Sequence, residues 1–284
     1  MAPRFSPVWL VLLGILSVQV GAALAKDLFD EVTPTGMVWL RLVTSALVLG
    51  LLARPVLRGR TAADWAVVIG FGVTLGVMNW AIYQAFARIP LGIAVTIEFV
   101  GPLTVAVLGS RRRRDLVWVG LAAVGVVVLG LQPGEVTLAG AAFALLAGAA
   151  WAAYILLSAR TGRRWPGLDG LAVASMVAFV LLSPAALAGA GSTLLDPRVL
   201  VLGAAIGLLS SVIPYSVELV ALRSLRPAVF SILMSLEPAA AAVAAIVLLQ
   251  EFLTPFQWLA MACVVAASVG ATRSGRPLAE PVPD

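Results

Sequence analysis

The stretch "GVMNWAIYQAFARIPLGIAVTIEFVGPL", residues 76–103, has a counterpart later in the same chain, "SVIPYSVELVALRSLRPAVFSILMSLEPA", residues 211–239. The two stretches align once a single residue is inserted. The aligned pairs are Asn79 with Pro214, Tyr83 with Glu218, Arg88 with Arg223 and Pro102 with Pro238. Similarity between two distant parts of one chain indicates an internal repeat, and this repeat decides the predicted architecture.

The composition places both stretches in a membrane. The chain has 284 residues, of which 61% are hydrophobic and 12% are charged, and its mean hydropathy is +1.05. Soluble domains typically have about 25% charged residues. Apolar runs over residues 8–25, 65–85, 199–221 and 228–249 reach the ~20 residues that a helix needs to cross a bilayer. The sequence therefore predicts an all-α polytopic membrane protein.

The residues that are missing exclude several classes of function. The chain has no histidine and one cysteine, Cys263, which lies inside an apolar run. This excludes a disulfide within the chain and catalysis by imidazole, and it argues against a His/Cys metal site. We find no nucleotide-binding P-loop and no hydrolase or metalloprotease motif. We therefore expect no catalytic residue, no metal and no cofactor, and a protein that is not an enzyme.

Polar residues divide the chain into ten predicted transmembrane helices. Their approximate spans are 7–25, 36–53, 65–86, 91–109, 115–132, 138–159, 169–188, 197–221, 227–249 and 255–273. Residues 7–132 are the first five-helix repeat, residues 138–273 the second, and residues 274–284 a disordered cytoplasmic tail. Because five is odd, the second repeat enters the membrane in the opposite orientation. Inverted repeats place a substrate site at their interface near the midplane and allow alternating access.

The distribution of basic residues predicts the topology. With both termini in the cytoplasm, fifteen arginines lie in inside segments: Arg4, Arg54, Arg58, Arg60, Arg111, Arg112, Arg113, Arg114, Arg160, Arg163, Arg164, Arg223, Arg226, Arg273 and Arg276. Three basic residues, Lys26, Arg88 and Arg198, lie in outside segments. Cytoplasmic loops carry an excess of Lys and Arg, so the count favours an N-in, C-in arrangement.

The first apolar segment also resembles a secretory signal, because Arg4 precedes it and "ALA" at residues 23–25 resembles a cleavage site. Cleavage would leave the first repeat incomplete. We therefore expect the first helix to be retained.

Two carboxylates in apolar surroundings are the first candidates for function. Glu98 lies about seven residues into the fourth predicted helix, roughly 10 Å deep at 1.5 Å rise per residue. Glu237 lies at nearly the same place in the ninth helix. A charge at this depth costs ~2.5–3.5 kcal/mol, so each carboxylate must face protein or water. They are candidate proton and substrate sites; the alternative is that they are protonated packing elements.

Further polar residues lie on corresponding helices of the two repeats. Asn79 and Tyr83 share a face of the third helix, and Tyr215 and Glu218 share a face of the eighth. We expect all four to contribute to substrate or proton binding. For Asn79 and Tyr83, hydrogen bonding between helices without a substrate is an equal alternative.

Arg41, inside the second helix, can bind a substrate carboxylate, pair with a buried glutamate or extend to the lipid headgroups. Three prolines lie beside the candidate residues: Pro102, Pro214 and Pro238. Each removes a helical hydrogen bond, so we expect a kink or gate there, with freed carbonyl groups available to a ligand.

Five segments resemble the EamA-type amino-acid exporters of the drug/metabolite transporter superfamily. They are "WLRL" at 39–42, "PLGIAVTIEFVGPL" at 90–103, "LLSSVIPYSVELVAL" at 208–222, "LMSLEPAAAA" at 233–242 and "EFLTPFQWLA" at 251–260. The resemblance follows the order of the chain and covers nearly all of it.

This resemblance implies export of small hydrophilic amino acids, similar to threonine or homoserine, from a bacterial cytoplasmic membrane by proton antiport. Amino acid, protons and membrane lipid are then the expected partners, and nucleic acid is not. The sequence leaves open whether the chain forms a homodimer. A cation or drug exporter of the same fold is the alternative, and an intramembrane lipid-modifying enzyme is a remote one.

Overall fold

The computed structural model describes residues 7–108, 116–130, 136–214, 217, 225 and 227–274. These residues form helices joined by short connections, and no strand occurs among them. The helices are α1 (Pro7–Asp27), α2 (Pro34–Ala53), α3 (Ala62–Phe86), α4 (Leu91–Glu98), α5 (Val100–Leu108), α6 (Leu116–Gly130), α7 (Leu138–Gly162), α8 (Asp169–Ala190), α9 (Pro197–Gly207), α10 (Pro227–Met234), α11 (Glu237–Ala244) and α12 (Pro255–Ser274).

Eight helical segments of the described chain are long and apolar enough to cross a membrane. One of them, Leu91–Leu108, contains α4 and α5, and another, Val229–Leu249, contains most of α10, all of α11 and a final π-helical turn. Two shorter apolar helices, Leu116–Leu129 and Pro197–Val212, lie close to residues outside the description. The prediction of an all-α, multi-pass membrane protein is confirmed, whereas the count of ten helices stays a prediction.

Several helices begin where a side chain caps their first turn. The hydroxyl of Thr33 accepts a hydrogen bond from the Gly36 N–H, and Pro34 follows it at the start of α2. Thr61 and Asp64 form a capping box at the start of α3. The Thr137 hydroxyl caps α7 in the same way as Thr33 caps α2. These caps satisfy N–H groups that a helix leaves unpaired, and they fix the boundaries of the spans.

Two of the spans are interrupted at corresponding positions. The helix α4 ends at Glu98, four residues before Pro102, and α10 ends at Met234, four residues before Pro238. A proline lacks the N–H that would bond the carbonyl four residues earlier, and its ring collides with that carbonyl. Each span is therefore interrupted beside its proline, and the kinks themselves stay a prediction.

The interrupted span formed by α4 and α5 lies directly against α7. A Cβ atom built on Gly148 of α7 would lie 2.6 Å from the carbonyl oxygen of Glu98, and a Cβ on Gly101 would collide with the carbonyl of Gly148. Small residues allow helices in membranes to approach this closely. The outer faces carry exposed apolar side chains, as expected for a surface in contact with lipid, including Leu51, Leu138 and Val180.

Candidate functional site

A cavity of about 500 Å³ is lined by residues of α1, α2, α3, α4, α5, α7, α10, α11 and α12 and of the π-helical turn Leu208–Val212. Five of the seven predicted substrate- or proton-binding residues line it: Arg41, Asn79, Tyr83, Glu98 and Glu237. The other two, Tyr215 and Glu218, lie outside the described residues. The volume falls within the ~300–1,000 Å³ range of small-molecule sites. The cavity therefore brings together side chains from both halves of the chain.

The two carboxylates of the cavity lie near the middle of their spans. Glu98 is the last residue of α4 and is 8% exposed, and Glu237 is the first residue of α11 and is 6% exposed. Within the described part of the chain, the Glu98 carboxylate takes part in no hydrogen bond or ion pair, although Arg41 interacts with it electrostatically. A buried carboxylate without a bonded partner is a site for a proton or a cationic ligand group.

Arg41 is buried, so the alternative in which it extends to the lipid headgroups is wrong. Its Nε donates a hydrogen bond of 3.0 Å to Ser211 Oγ, and its Nη2 donates one of 2.7 Å to the Ser210 carbonyl. Nη1 makes no bond to any residue that the structure describes. The guanidinium is thus held in place by two bonds and keeps donors for a ligand.

Pro214 explains why Arg41 is bonded to the backbone. The chain forms a π-helical turn over Leu208–Val212, and Pro214 has no N–H for the carbonyl of Ser210 or, in π-helical pairing, for that of Leu209. Arg41 donates a hydrogen bond to the Ser210 carbonyl instead. The Ser17 hydroxyl of α1 donates one to the Leu209 carbonyl at 2.6 Å.

The sequence predicts that the carbonyl groups freed by the prolines are available to a ligand. At Pro214 and Pro102 these carbonyls have other contacts instead. Arg41 and Ser17 occupy the two at Pro214, and the Glu98 carbonyl freed by Pro102 faces the Gly148 backbone. Pro102 and Pro214 both line the cavity, and Pro238 is buried beside Glu237.

Asn79 and Tyr83 differ in how their polar groups are used. The Asn79 amide donates to the Leu75 carbonyl of its own helix at 2.8 Å, so this donor does not join two helices. Tyr83 has no exposed surface, and its hydroxyl has no partner among the described residues. Its ring packs between Phe29 and Phe86, with the Arg41 guanidinium carbon 5.9 Å from the ring centroid.

Several cavity residues were not predicted from the sequence. Gln19 of α1 and Ser210 of the π-helical turn both contribute polar atoms, and Tyr154 of α7 lines the opposite wall. Trp151 packs edge-on against Phe99 and also lines the cavity. In the sequence, Gln19 and Ser210 stand out only as polar residues within apolar runs. Such residues occur both in binding sites and in contacts between packed helices.

An ion pair joins three segments at one end of the bundle. Lys26 Nζ at the end of α1 lies 2.5 Å from Glu251 Oε1 and donates to the Ile89 carbonyl at 2.9 Å. Glu251 Oε2 accepts a hydrogen bond of 2.8 Å from the Leu91 N–H at the start of α4. Together, Lys26 and Glu251 connect the first helix with the start of α4 and the segment that precedes α12.

The chain is similar to a family of membrane transporters and to two bacterial exporters. Residues 138–273 match the sequence pattern of the EamA-like transporter family. The threonine/homoserine exporter RhtA of Escherichia coli strain K12 is 42% identical over 281 residues, which cover 96% of this chain and 95% of the exporter. The exporter of the same name from Salmonella typhimurium strain SL1344 is 43% identical over 95% of this chain and 93% of its own length.

A solved crystal structure shares the fold at lower sequence identity. It superposes with a TM-score of 0.62 at 18% identity and covers 96% of this chain and 100% of its own. This likeness extends the similarity in fold over both halves of the chain.

Proposed function

Because this chain belongs to the EamA-like transporter family, we propose that it exports small hydrophilic amino acids of the threonine and homoserine type across a bacterial cytoplasmic membrane. The family is one of transporters, so the chain is not an enzyme. Its similarity to the two bacterial exporters covers almost the full length of all three proteins.

The proposed architecture is ten membrane-spanning helices in two inverted repeats, residues 7–132 and 138–273, with both termini in the cytoplasm. A two-fold axis that relates the repeats brings equivalent predicted helices together: the second with the seventh, the fourth with the ninth, and the fifth with the tenth. In the structure these helices correspond to α2 and α8, to α4 and α11, and to α6 and α12. All three contacts occur. The same axis relates the contact of α3 with α7 to that of α1 with α9, and both occur. This agreement supports the inverted repeat.

The observation that carries the proposed mechanism is the placement of Glu98 and Arg41 in one buried cavity. An amino acid at neutral pH carries an ammonium group and a carboxylate. The ammonium matches Glu98, with Glu237 in support, and the carboxylate matches the remaining donors of Arg41. Asn79 and Tyr83 line the same cavity and complete the proposed contacts, with Tyr215 and Glu218 as predicted members outside the described residues.

Proton coupling follows from competition at the same carboxylate. A proton and a substrate ammonium group each neutralise Glu98, so binding of one displaces the other. If the empty charged form does not reorient, each inward-moving proton is exchanged for an outward-moving amino acid. Pro102, Pro214 and Pro238 are the proposed positions of kinks at which the helices move. One chain contains the whole described cavity, so this cycle does not require a homodimer.

A cation or drug exporter is the second candidate, and the aromatic lining of the cavity favours it. Phe99, Trp151, Tyr154 and Phe230 line the cavity near the carboxylates, as a lipophilic cation would require. Arg41 in the same cavity disfavours a cation and favours a zwitterion. A transport assay with both substrate classes separates the two candidates.

The test is transport by the purified chain in proteoliposomes with labelled threonine and homoserine, compared with a panel of lipophilic cations. Saturable uptake of the amino acids, stimulated by an imposed proton gradient, supports amino-acid export. Gradient-driven transport of the cations without amino-acid transport contradicts it and supports the second candidate.

A further inference from the structure

Three residues that line the cavity each have a buried polar atom without a hydrogen-bond partner among the described residues. The atoms are Gln19 Oε1, Tyr83 OH and Ser210 Oγ. Gln19 is 3% exposed, Tyr83 0% and Ser210 1%. Buried polar groups in proteins are almost always paired, so an unpaired set in a cavity is available to a polar group of a ligand or to water. We call these three residues the neutral cluster.

The members of the neutral cluster come from three different elements, and two of them, Tyr83 and Ser210, contact Arg41. The Tyr83 ring lies near the Arg41 guanidinium, and the Ser210 backbone accepts a hydrogen bond from it. The Ser210 side chain lies against α1, because a Cβ atom on Gly21 would collide with its hydroxyl oxygen. Gln19 lines the same cavity from α1. Tyr83 and Ser210 therefore lie on the Arg41 side of the cavity, and Gln19 contributes to its lining from the first helix.

The chemistry of the neutral cluster differs from that of the charged groups. In the proposed function, the ammonium and carboxylate of the substrate are matched by Glu98, Glu237 and Arg41. These three side chains are charged, and they pair with the charged groups of the substrate without help from the neutral cluster. The hydroxyls of Tyr83 and Ser210 both donate and accept, and Gln19 Oε1 accepts. A small uncharged group that both donates and accepts can pair with every member of this set, and an aliphatic hydroxyl is such a group.

We propose that the neutral cluster recognises the side-chain hydroxyl of the substrate, so that Gln19, Tyr83 and Ser210 select hydroxylated amino acids over their apolar isosteres. This inference rests on the proposed function, since it requires an amino acid in the cavity. Valine has the shape of threonine with a methyl group in place of the hydroxyl, and norvaline relates to homoserine in the same way. Either isostere leaves the buried neutral cluster unpaired. Sites that bond a substrate hydroxyl reject analogues lacking it far more strongly than an apolar pocket rejects an added hydroxyl.

The test measures transport of threonine, valine, homoserine and norvaline by the full chain in proteoliposomes, for the wild type and for Tyr83→Phe, Ser210→Ala and Gln19→Met. Two of these variants remove one oxygen atom each, and the third keeps the length of the side chain. Ser158→Ala is the matched control, since the Ser158 hydroxyl bonds the Ile155 carbonyl of its own helix and does not line the cavity.

The wild type is expected to prefer threonine over valine by at least about 100-fold in transport efficiency. Each cluster variant is expected to lower this ratio at least about tenfold, with valine transport rising in absolute terms because a group that valine leaves unpaired has been removed. Ser158→Ala keeps the wild-type ratio.

Two results would overturn the inference without touching the proposed function. One is a wild type that transports threonine and valine equally. The other is a set of cluster variants that lose threonine and valine transport in parallel, which assigns the neutral cluster to the substrate carboxylate or to packing. Absence of transport for every amino acid contradicts the proposed function itself, and the inference with it.

Discussion

Arg41 Nη2 donates a 2.7 Å hydrogen bond to the carbonyl of Ser210, the group that loses its helical donor because of Pro214. The two residues are 169 positions apart in the chain and belong to different proposed repeats. The Arg41 side chain thus lines the cavity and bonds a carbonyl group that has lost its helical donor. The same bond connects the two halves of the chain. A movement of the helix that contains Ser210 must change the position of Arg41.

Replacing Pro214 tests this connection. Pro214→Ala supplies an N–H that can bond the Ser210 or Leu209 carbonyl, so the helix competes with Arg41 and Ser17 for these acceptors. We expect a protein at least as stable as the wild type that transports threonine at least about tenfold more slowly. Thermal unfolding in detergent and uptake by proteoliposomes measure the two quantities. Wild-type transport by Pro214→Ala would show that the π-helical turn is dispensable.

The contact between α7 and the break after α4 predicts a steric requirement at Gly148. A Cβ at this position lies 2.6 Å from the Glu98 carbonyl, and overpacking of this kind typically costs about 1–3 kcal/mol. Gly148→Ala is expected to lower the melting temperature and the transport rate. Gly120→Ala is the control, because a Cβ there meets nothing within 4 Å. Equal stability of the two variants would contradict the close approach of α7.

The Lys26–Glu251 pair predicts different effects from two substitutions of the same glutamate. Glu251→Gln keeps an acceptor for the Leu91 N–H and loses the charge, whereas Glu251→Ala loses both contacts. A partly exposed ion pair contributes little, while a hydrogen bond contributes on the order of 1 kcal/mol. We expect Glu251→Ala to unfold at a lower temperature than Glu251→Gln. Identical unfolding of the two variants would mean that the bond to Leu91 does not stabilise the protein.

The proposed topology predicts opposite accessibility for two connections. In a Cys263→Ala background, a cysteine at Gly59, between α2 and α3, faces the cytoplasm, and one at Thr193, between α8 and α9, faces outward. In intact cells, a maleimide that cannot cross the membrane should label Thr193→Cys and leave Gly59→Cys unlabelled until the cells are opened. Labelling of Gly59→Cys in intact cells contradicts the N-in arrangement.

Local features of the fold were predictable from the sequence because their causes are local. Apolar runs and flanking polar residues located the spans, and Pro102 and Pro238 located the breaks after α4 and α10. Glu98 and Glu237 were identifiable because a carboxylate in an apolar run has a large cost that needs an explanation.

The partners of the site residues were not predictable, since they depend on packing between distant segments. Nothing in the sequence around Arg41 indicates that its partners are Ser210 and Ser211. Gln19 is a single neutral polar residue in an apolar helix, and such residues most often bond neighbouring helices. It is marked as part of a site only because it lines the cavity and its Oε1 has no bonded partner among the described residues.

The central claim is that Glu98 carries either the proton or the substrate ammonium group, and Glu98→Gln tests it most directly. Glutamine keeps the shape of the side chain but cannot change charge. The other charged groups that line the described cavity, Arg41 and Glu237, are left in place, and Glu31→Gln on the surface is the control.

The measurement is uphill threonine transport in proteoliposomes with an imposed proton gradient, together with threonine exchange at several pH values without one. We predict that the wild type and Glu31→Gln accumulate threonine against its gradient, whereas Glu98→Gln does not and its residual exchange no longer depends on pH. Wild-type accumulation by Glu98→Gln would contradict the account and leave Glu237 or Glu218 as the coupling carboxylate.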